Sequence, residues 1–245
     1  MDQVAQEFSE QHRVVYYDTE VTGEMGIGKL VDMMMLASED HSDSVGVTTQ
    51  KVLGLGLGWV ITQHLLEVKR LPKTNEVVTV STKAASYNPY FCYRDFWVEA
   101  ADGELLAKMH TVFVLMDQAK RKITRILPEL VAPFESKYTK KIERNPLPMA
   151  PKQPTASHDY GVRFMDIDSN HHVNNVHYFD WMLDVLGADF LTSHRLKKMN
   201  IQYKQEVRYG QVATSEVEIA DLTSYHQIKV GQDLSCVAQC EWELR

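Results

Sequence analysis

The chain has 245 residues, 44% of them hydrophobic, which is enough for one large core or two smaller ones. Its formal net charge of -7 argues against a surface built for nucleic acid, and no apolar run approaches the ~18 residues of a membrane span. The opening residues, Met1 to Phe8, carry neither the basic and apolar regions of a signal peptide nor the Arg and Ser bias of a transit peptide, so a cytoplasmic protein is expected.

In chain order, residues 13–18 read as a short strand. Residues 26–37 then read as a helix, apolar around most of its circumference through Ile27, Leu30, Val31, Met33, Met34, Met35 and Leu36. The glycines of Gly54-Leu-Gly-Leu-Gly58 do not open a helix. They precede a strand at 59–69, so a phosphate-loop reading is rejected. Further strands are predicted at 76–87, 91–101 and 104–116, with turns at 73–75 and 101–103. Residues 135–156 hold Pro146, Pro148, Pro151 and Pro154 and little periodicity, so they read as a linker.

The order then repeats. A short strand at 158–164 leads into a polar loop, a helix, and strands near 197–208, 212–220, 223–230 and 233–244. In the last strand Leu234, Cys236, Ala238, Cys240, Trp242 and Leu244 share one face. Cys236 and Cys240 would lie roughly 13 Å apart at ~3.3 Å per residue, too far for a disulfide. Two halves of equal order indicate an internal duplication, each half a helix wrapped by an antiparallel sheet, which is an α+β architecture. The expected domains are 1–134 and 157–245, joined by the linker 135–156.

The chemistry concentrates in Asp166-Ile-Asp-Ser-Asn-His-His-Val-Asn-Asn175. Val176, Phe179, Met182, Leu183, Leu186 and Phe190 follow at helical spacing, with Asn174 or Asn175 as the expected N-cap. In an extended loop Asp168, Asn170 and His172 would point the same way and offer a carboxylate, an amide and an imidazole to one substrate atom. Glu206 falls on the polar face of its predicted strand. A metal set drawn from His171, His172 and His177 with Asp166 or Asp168 fits no recognised spacing, and no G-x-S-x-G turn supports a serine nucleophile. An Asn-rich loop serving only turns and caps remains the competing reading.

The segment Asp166-x-Asp168-x-Asn170-x-His172-Val-Asn-Asn175-x-x-Tyr178-x-x-Trp181 resembles the signature of acyl-acyl carrier protein thioesterases, the plant FatA/FatB type and its bacterial relatives. Ile201-Gln-Tyr-Lys-Gln-Glu206 is similar to the family's second signature. The resemblance covers nearly the whole chain and implies a tandem hot-dog fold. The first domain would hold the acyl chain, with the Met-rich helix as part of its wall, and the second would carry catalysis. It implies catalytic roles for Asp168, Asn170, His172 and Glu206, no cofactor and no metal, and acyl carrier protein as the partner that presents the substrate. The position after the glutamate, a cysteine in the plant enzymes, is Val207 here, which excludes a thiol mechanism at that point. Two basic clusters, Lys120-Arg121-Lys122 with Arg125, and Lys137, Lys140, Lys141 and Arg144, are candidates for steering an acidic carrier. The alternatives are an acyl-coenzyme A thioesterase and a non-hydrolytic hot-dog acyl-binding protein. A monomer of tandem repeats or a homodimer is expected.

Overall fold

The protein's structure is a computed structural model that describes residues 5–168 and 171–245. Two compact units form, one from residues 5–25, 32–64 and 69–145, the other from residues 26–31, 65–68 and the described part of 146–245. Along the chain run β1 (Glu7–Arg13), α1 (Ile27–Ser44), α2 (Thr49–Gly54), β2 (Leu57–Val68), β3 (Val77–Tyr87), β4 (Phe91–Ala100) and β5 (Leu105–Asp117). Next come β6 (Lys122–Thr124), β7 (Lys137–Tyr138), β8 (Ala156–Gly161), α3 (Val176–Asp184) and α4 (Ala188–Ser193). The chain ends with β9 (His194–Tyr203), β10 (Val212–Ala220), β11 (Thr223–Val230) and β12 (Asp233–Leu244).

In the first unit β1, β3, β4 and β5 pair antiparallel in that order, and β2 lies beyond β5. Val78 and Val80 of β3 and Phe96 and Val98 of β4 alternate inward and are buried, as the period of two requires. In the second unit β9, β12, β11, β10 and β8 pair antiparallel, and α3 packs on β10 and β11. Its buried face is Val176, Tyr178, Phe179, Trp181 and Met182.

Four sequence expectations need correction. The strand expected at 13–18 lies earlier, at β1. Residues Tyr16–Asp18 instead form a 3-10 turn, because the Asp18 carboxylate accepts the Val15 N–H at 3.0 Å and closes a local ring that competes with strand pairing. Helix α1 runs past Ala37 to Ser44. Its last turns turn polar side chains outward while His41 occupies the inward position, a role that a count of apolar residues misses. The helix expected to reach Phe190 breaks after Asp184, at Gly187, whose φ of 82° a helix cannot include. Strand β9 ends at Tyr203, so Glu206 is on the following loop rather than on a strand face.

The proline-bearing segment 135–156 is anchored on the outside of each unit. β7 pairs with β3, and the Tyr93 hydroxyl accepts the Glu143 N–H at 3.0 Å. Further on, Asn200 donates to the Pro146 carbonyl, and the Glu218 carboxylate accepts the N–H of Gln153. Cys236 and Cys240 are buried free thiols on the inner face of β12, beside Ala238 and Trp242. The chain end Leu244 is exposed.

Candidate active site

Arg163-Phe-Met-Asp166 forms a 3-10 turn at the end of β8. Asp166, with 1% of its surface exposed, closes the turn. Oδ2 of its carboxylate accepts the Arg163 N–H at 2.8 Å, and Oδ1 accepts from the guanidinium of the same residue at 2.7 and 3.0 Å. Burial pushes the Asp166 carboxyl up, but the hydrogen bonds from Arg163 and the nearby His177 outweigh it and hold the group below its ordinary value. His177 Nε2 lies 3.9 Å from Asp166, and Nδ1 lies 3.5 Å from Asp180. That acidic surround, with the Asp180 hydrogen bond foremost, raises the imidazole's pKa. His177 thus supports the turn.

Ile167 and Val173 form an antiparallel bridge, Asp168 N–H donates to the His172 carbonyl at 3.0 Å, and His171 N–H donates to the Asp168 carbonyl at 3.0 Å. His171 closes this tight turn with φ of 65°, a left-handed conformation uncommon for a residue with a side chain. Asp168 and His172 are therefore brought together across a turn rather than by alternation along a strand. Asp168 Oδ1 lies 3.8 Å from His172 Nδ1. The same nitrogen faces the Val173 carbonyl at 3.2 Å, an acceptor, so Nδ1 carries the proton and Nε2 holds the lone pair. Asn170 lies outside the described residues.

Glu206 stands on the loop after β9, which main-chain bonds tie to the polar loop. The Val173 N–H donates to the Val207 carbonyl at 2.8 Å, and the Val207 N–H donates to the Tyr178 hydroxyl at 3.1 Å. Those two bonds fix the peptide after Glu206 against both the polar loop and α3. The Tyr178 phenol is raised well above its ordinary pKa, first by burial, and the carboxylates of Glu206 and Asp168 both add to the shift. Both acids thus act on one hydroxyl. Glu206 is partly buried, with Arg208 Nη2 3.7 Å from its carboxylate. The neighbouring Tyr203 hydroxyl donates to the Asn175 carbonyl at 3.1 Å, fastening the end of β9 to the start of α3. At that start the Asn174 side chain accepts the Val176 N–H at 3.2 Å, whereas Asn175, the N-cap by position, makes no side-chain cap.

Sequence reasoning gave Tyr178 no role, although it stands in the motif. It falls outside the apolar series of Val176, Phe179 and Met182, and its hydroxyl's partner comes from a loop about thirty residues away in the chain, roughly a helix and a strand further on.

Two helix-and-sheet units in one chain, one of them presenting a carboxylate–imidazole turn beside a second carboxylate, define a double hot-dog protein. The acyl-ACP thioesterase N-terminal domain matches residues 5–134 and the acyl-ACP thioesterase C-terminal domain matches residues 149–244, so the chain belongs to the acyl-ACP thioesterase family. A Lactobacillus plantarum protein assigned as an oleoyl thioesterase is 43% identical in its crystal structure, with a TM-score of 0.95 over 98% of this chain and 97% of that one. A 12:0-ACP thioesterase from Umbellularia californica shares the fold at 20% identity, with a TM-score of 0.87 over 98% of each chain. A chloroplastic palmitoyl-acyl carrier protein thioesterase from Gossypium hirsutum is 25% identical over 92% of this chain, which spans 58% of that relative's length. No helix among the described residues is long and apolar enough to cross a membrane.

Proposed function

We propose that the chain hydrolyses the thioester of fatty acyl-acyl carrier protein, releasing a free fatty acid and ending chain synthesis. The observation that supports this reading is the Val173–Val207 bond, which ties the loop carrying Glu206 to the chain that leaves the Asp168–His172 turn. Such a grouping supplies what thioester hydrolysis without a covalent intermediate requires, a base for water and an oriented imidazole.

In this reading water attacks the thioester carbonyl carbon and gives its proton to Glu206, acting with His172 Nε2. The tetrahedral intermediate then collapses, the C–S bond breaks, and the thiolate leaves with that proton. Asp168 orients the imidazole from the Nδ1 side. Asn170 is assigned to the water or the carbonyl oxygen, and N–H groups at the start of α3 complete the oxyanion site. Domain 1–134 would hold the acyl chain and domain 157–245 the chemistry, in a cytoplasmic enzyme active as a tandem monomer or homodimer.

The carrier-binding part of the proposal has support from charge. Lys120, Arg121, Lys122 and Arg125 are exposed around β6, and Arg125 lies 5.8 Å over the Tyr90 ring in the β3–β4 turn. Lys137, Lys140, Lys141 and Arg144 are exposed on the segment that joins the end of β3 through the Thr139 N–H and the Tyr87 carbonyl. The two clusters thus flank one end of the first sheet and offer an acidic carrier a single basic rim.

The test is release of free thiol from matched acyl-carrier-protein and acyl-coenzyme A substrates over several chain lengths, with His172→Ala alongside. Fast release from the carrier-bound series, abolished in the variant, is expected. Raising salt should raise KM for the carrier substrate and leave a small thioester unaffected. Faster turnover of coenzyme A esters would move the substrate to that carrier, and release by neither would leave an acyl-binding protein.

A further inference from the structure

A layer of polar side chains crosses the interior of the first unit. Arg94 on β4 stands directly opposite Ala84 of β3 and Thr111 of β5. Its Nη1 donates to His41 Nδ1 on α1 at 3.1 Å and lies 3.2 Å from the Thr82 hydroxyl. Thr111 bonds His64 Nδ1 on β2 at 2.8 Å. Apolar side chains flank the layer. Phe96 and Met109 lie two residues along their strands on one side, and Met34 and Ala37 precede His41 on the buried face of α1.

The charge in this layer is not balanced. Arg94 is 6% exposed and makes no ion pair with a carboxylate among the described residues. Burial draws its pKa down to about 10, so at neutral pH the guanidinium is still charged. The Phe134 ring, 5.0 Å from its carbon, offsets only part of the desolvation. His41 cannot supply a counter-charge. It is 1% exposed, stacked on Phe8, and held neutral with a pKa lowered to about 4, mainly by burial and secondarily by Arg94. Because His41 Nδ1 accepts from Arg94, its proton is on Nε2, and that buried N–H has no acceptor. Buried cations are held by an anion or by strong acceptors, and an unmatched one in a natural core marks a place for one.

We infer that Arg94, with the Nε2–H of His41, binds the carboxylate of an alkyl chain lodged between α1 and the first sheet, while Thr82, whose hydroxyl donates to the Asp95 carbonyl, holds the guanidinium in place. The apolar flanks fit an alkyl chain, and a planar carboxylate suits the guanidinium fork. Two sources share this chemistry: a free fatty acid entering carboxylate first, or an acyl substrate with a second carboxylate at its far end. Only the alkyl nature of the ligand rests on the thioesterase reading. The demand for an anion rests on the layer itself.

The experiment measures binding of hexadecanoate and of hexadecanol to the full chain by calorimetry, and turnover of plain and ω-carboxyacyl thioesters, in wild type and Arg94→Met. The inference expects hexadecanoate binding, or the KM for the ω-carboxyacyl ester, to worsen by about tenfold to a hundredfold in the variant. Hexadecanol should bind both proteins alike. Whichever arm responds names the source. If Arg94→Met does not fold, His41→Phe carries the same comparison, and Arg94→Lys should retain part of the binding. Equal affinity of wild type and folded variants for hexadecanoate, together with unchanged ω-carboxyacyl kinetics, would overturn the inference. Loss of turnover on plain esters by wild type would instead count against the thioesterase reading and leave the calorimetry interpretable.

Discussion

Glu20 N–H donates to the Glu24 carbonyl at 2.9 Å in the first unit, and Asp168 N–H donates to the His172 carbonyl at 3.0 Å in the second. The match continues on both sides. Asp18 and Asp166 each close a 3-10 turn by accepting the N–H three residues back. Thr19–Met25 and Ile167–Val173 are bridges of the same span. Met25 N–H donates to the Pro72 carbonyl at 2.8 Å, and Val173 N–H donates to that of Val207 at 2.8 Å. These main-chain bonds around the turn thus recur in both copies while the side chains have diverged. Where the second unit has Asp168, His172 and Glu206, the first has Glu20, Glu24 and Leu71. Leu71 is buried and contributes to the core. One scaffold served for packing in one copy and for presenting acid and imidazole in the other, because hydrogen bonds between main-chain groups leave side-chain identity free.

The largest expected effect breaks this difference outright. Glu206→Leu, which gives the second unit its counterpart's residue, should lower thioester hydrolysis by roughly 10²–10⁴-fold with little change in melting temperature. His172→Ala should do the same. Near-normal turnover in both would remove them from the mechanism. The converse exchange acts on stability. Leu71→Glu puts a carboxylate at a site 9% exposed and should cost about 1–3 kcal/mol in denaturant unfolding. An unchanged midpoint would mean that the site is wetter than its burial indicates.

Next come the caps. Asp166→Asn should cost about 1–2 kcal/mol, since it weakens charge-assisted bonds to a buried group. Because the folded pKa of Asp166 is depressed, its contribution is complete above the unfolded value near 4 and fades as pH falls through the lower folded value. Melting temperature measured against pH should therefore decline on the acid side in wild type and decline less in Asp166→Asn. Parallel curves would contradict this assignment.

The smallest effects concern the turn position itself. Gly23, at φ of 76°, has open space where a Cβ would stand, so Gly23→Ala should cost about 1 kcal/mol through backbone strain alone. His171 holds the matching position at φ of 65°. His171→Gly should relieve that strain and stabilise by about 0.5 kcal/mol, less than the reverse change costs because glycine loses more entropy on folding. A loss of stability in His171→Gly would show that the imidazole makes contacts that outweigh its φ.

The duplication, the α+β class and the strands from β10 to β12 were legible because alternation and turn residues repeat in the sequence. The site was legible only in part. Its loop announced itself through the density of Asp, Asn and His, but extension was assumed where a left-handed His171 makes a tight turn. Non-glycine residues in that conformation carry no sequence mark. Glu206 was found through resemblance. Its position beyond the end of β9 depends on where pairing with β12 stops, which no single strand specifies.

By itself, then, the sequence determined which residue types were available and the periodicities that choose helix or strand. Those follow from local sterics and the burial of one face. The tertiary structure alone decided that Val207 meets Val173, that the charges of two carboxylates reach Tyr178, and that Arg94 is buried without an acid among the described residues. Each depends on where separate elements come to rest, which is set by packing of the whole unit rather than by any neighbourhood of the chain.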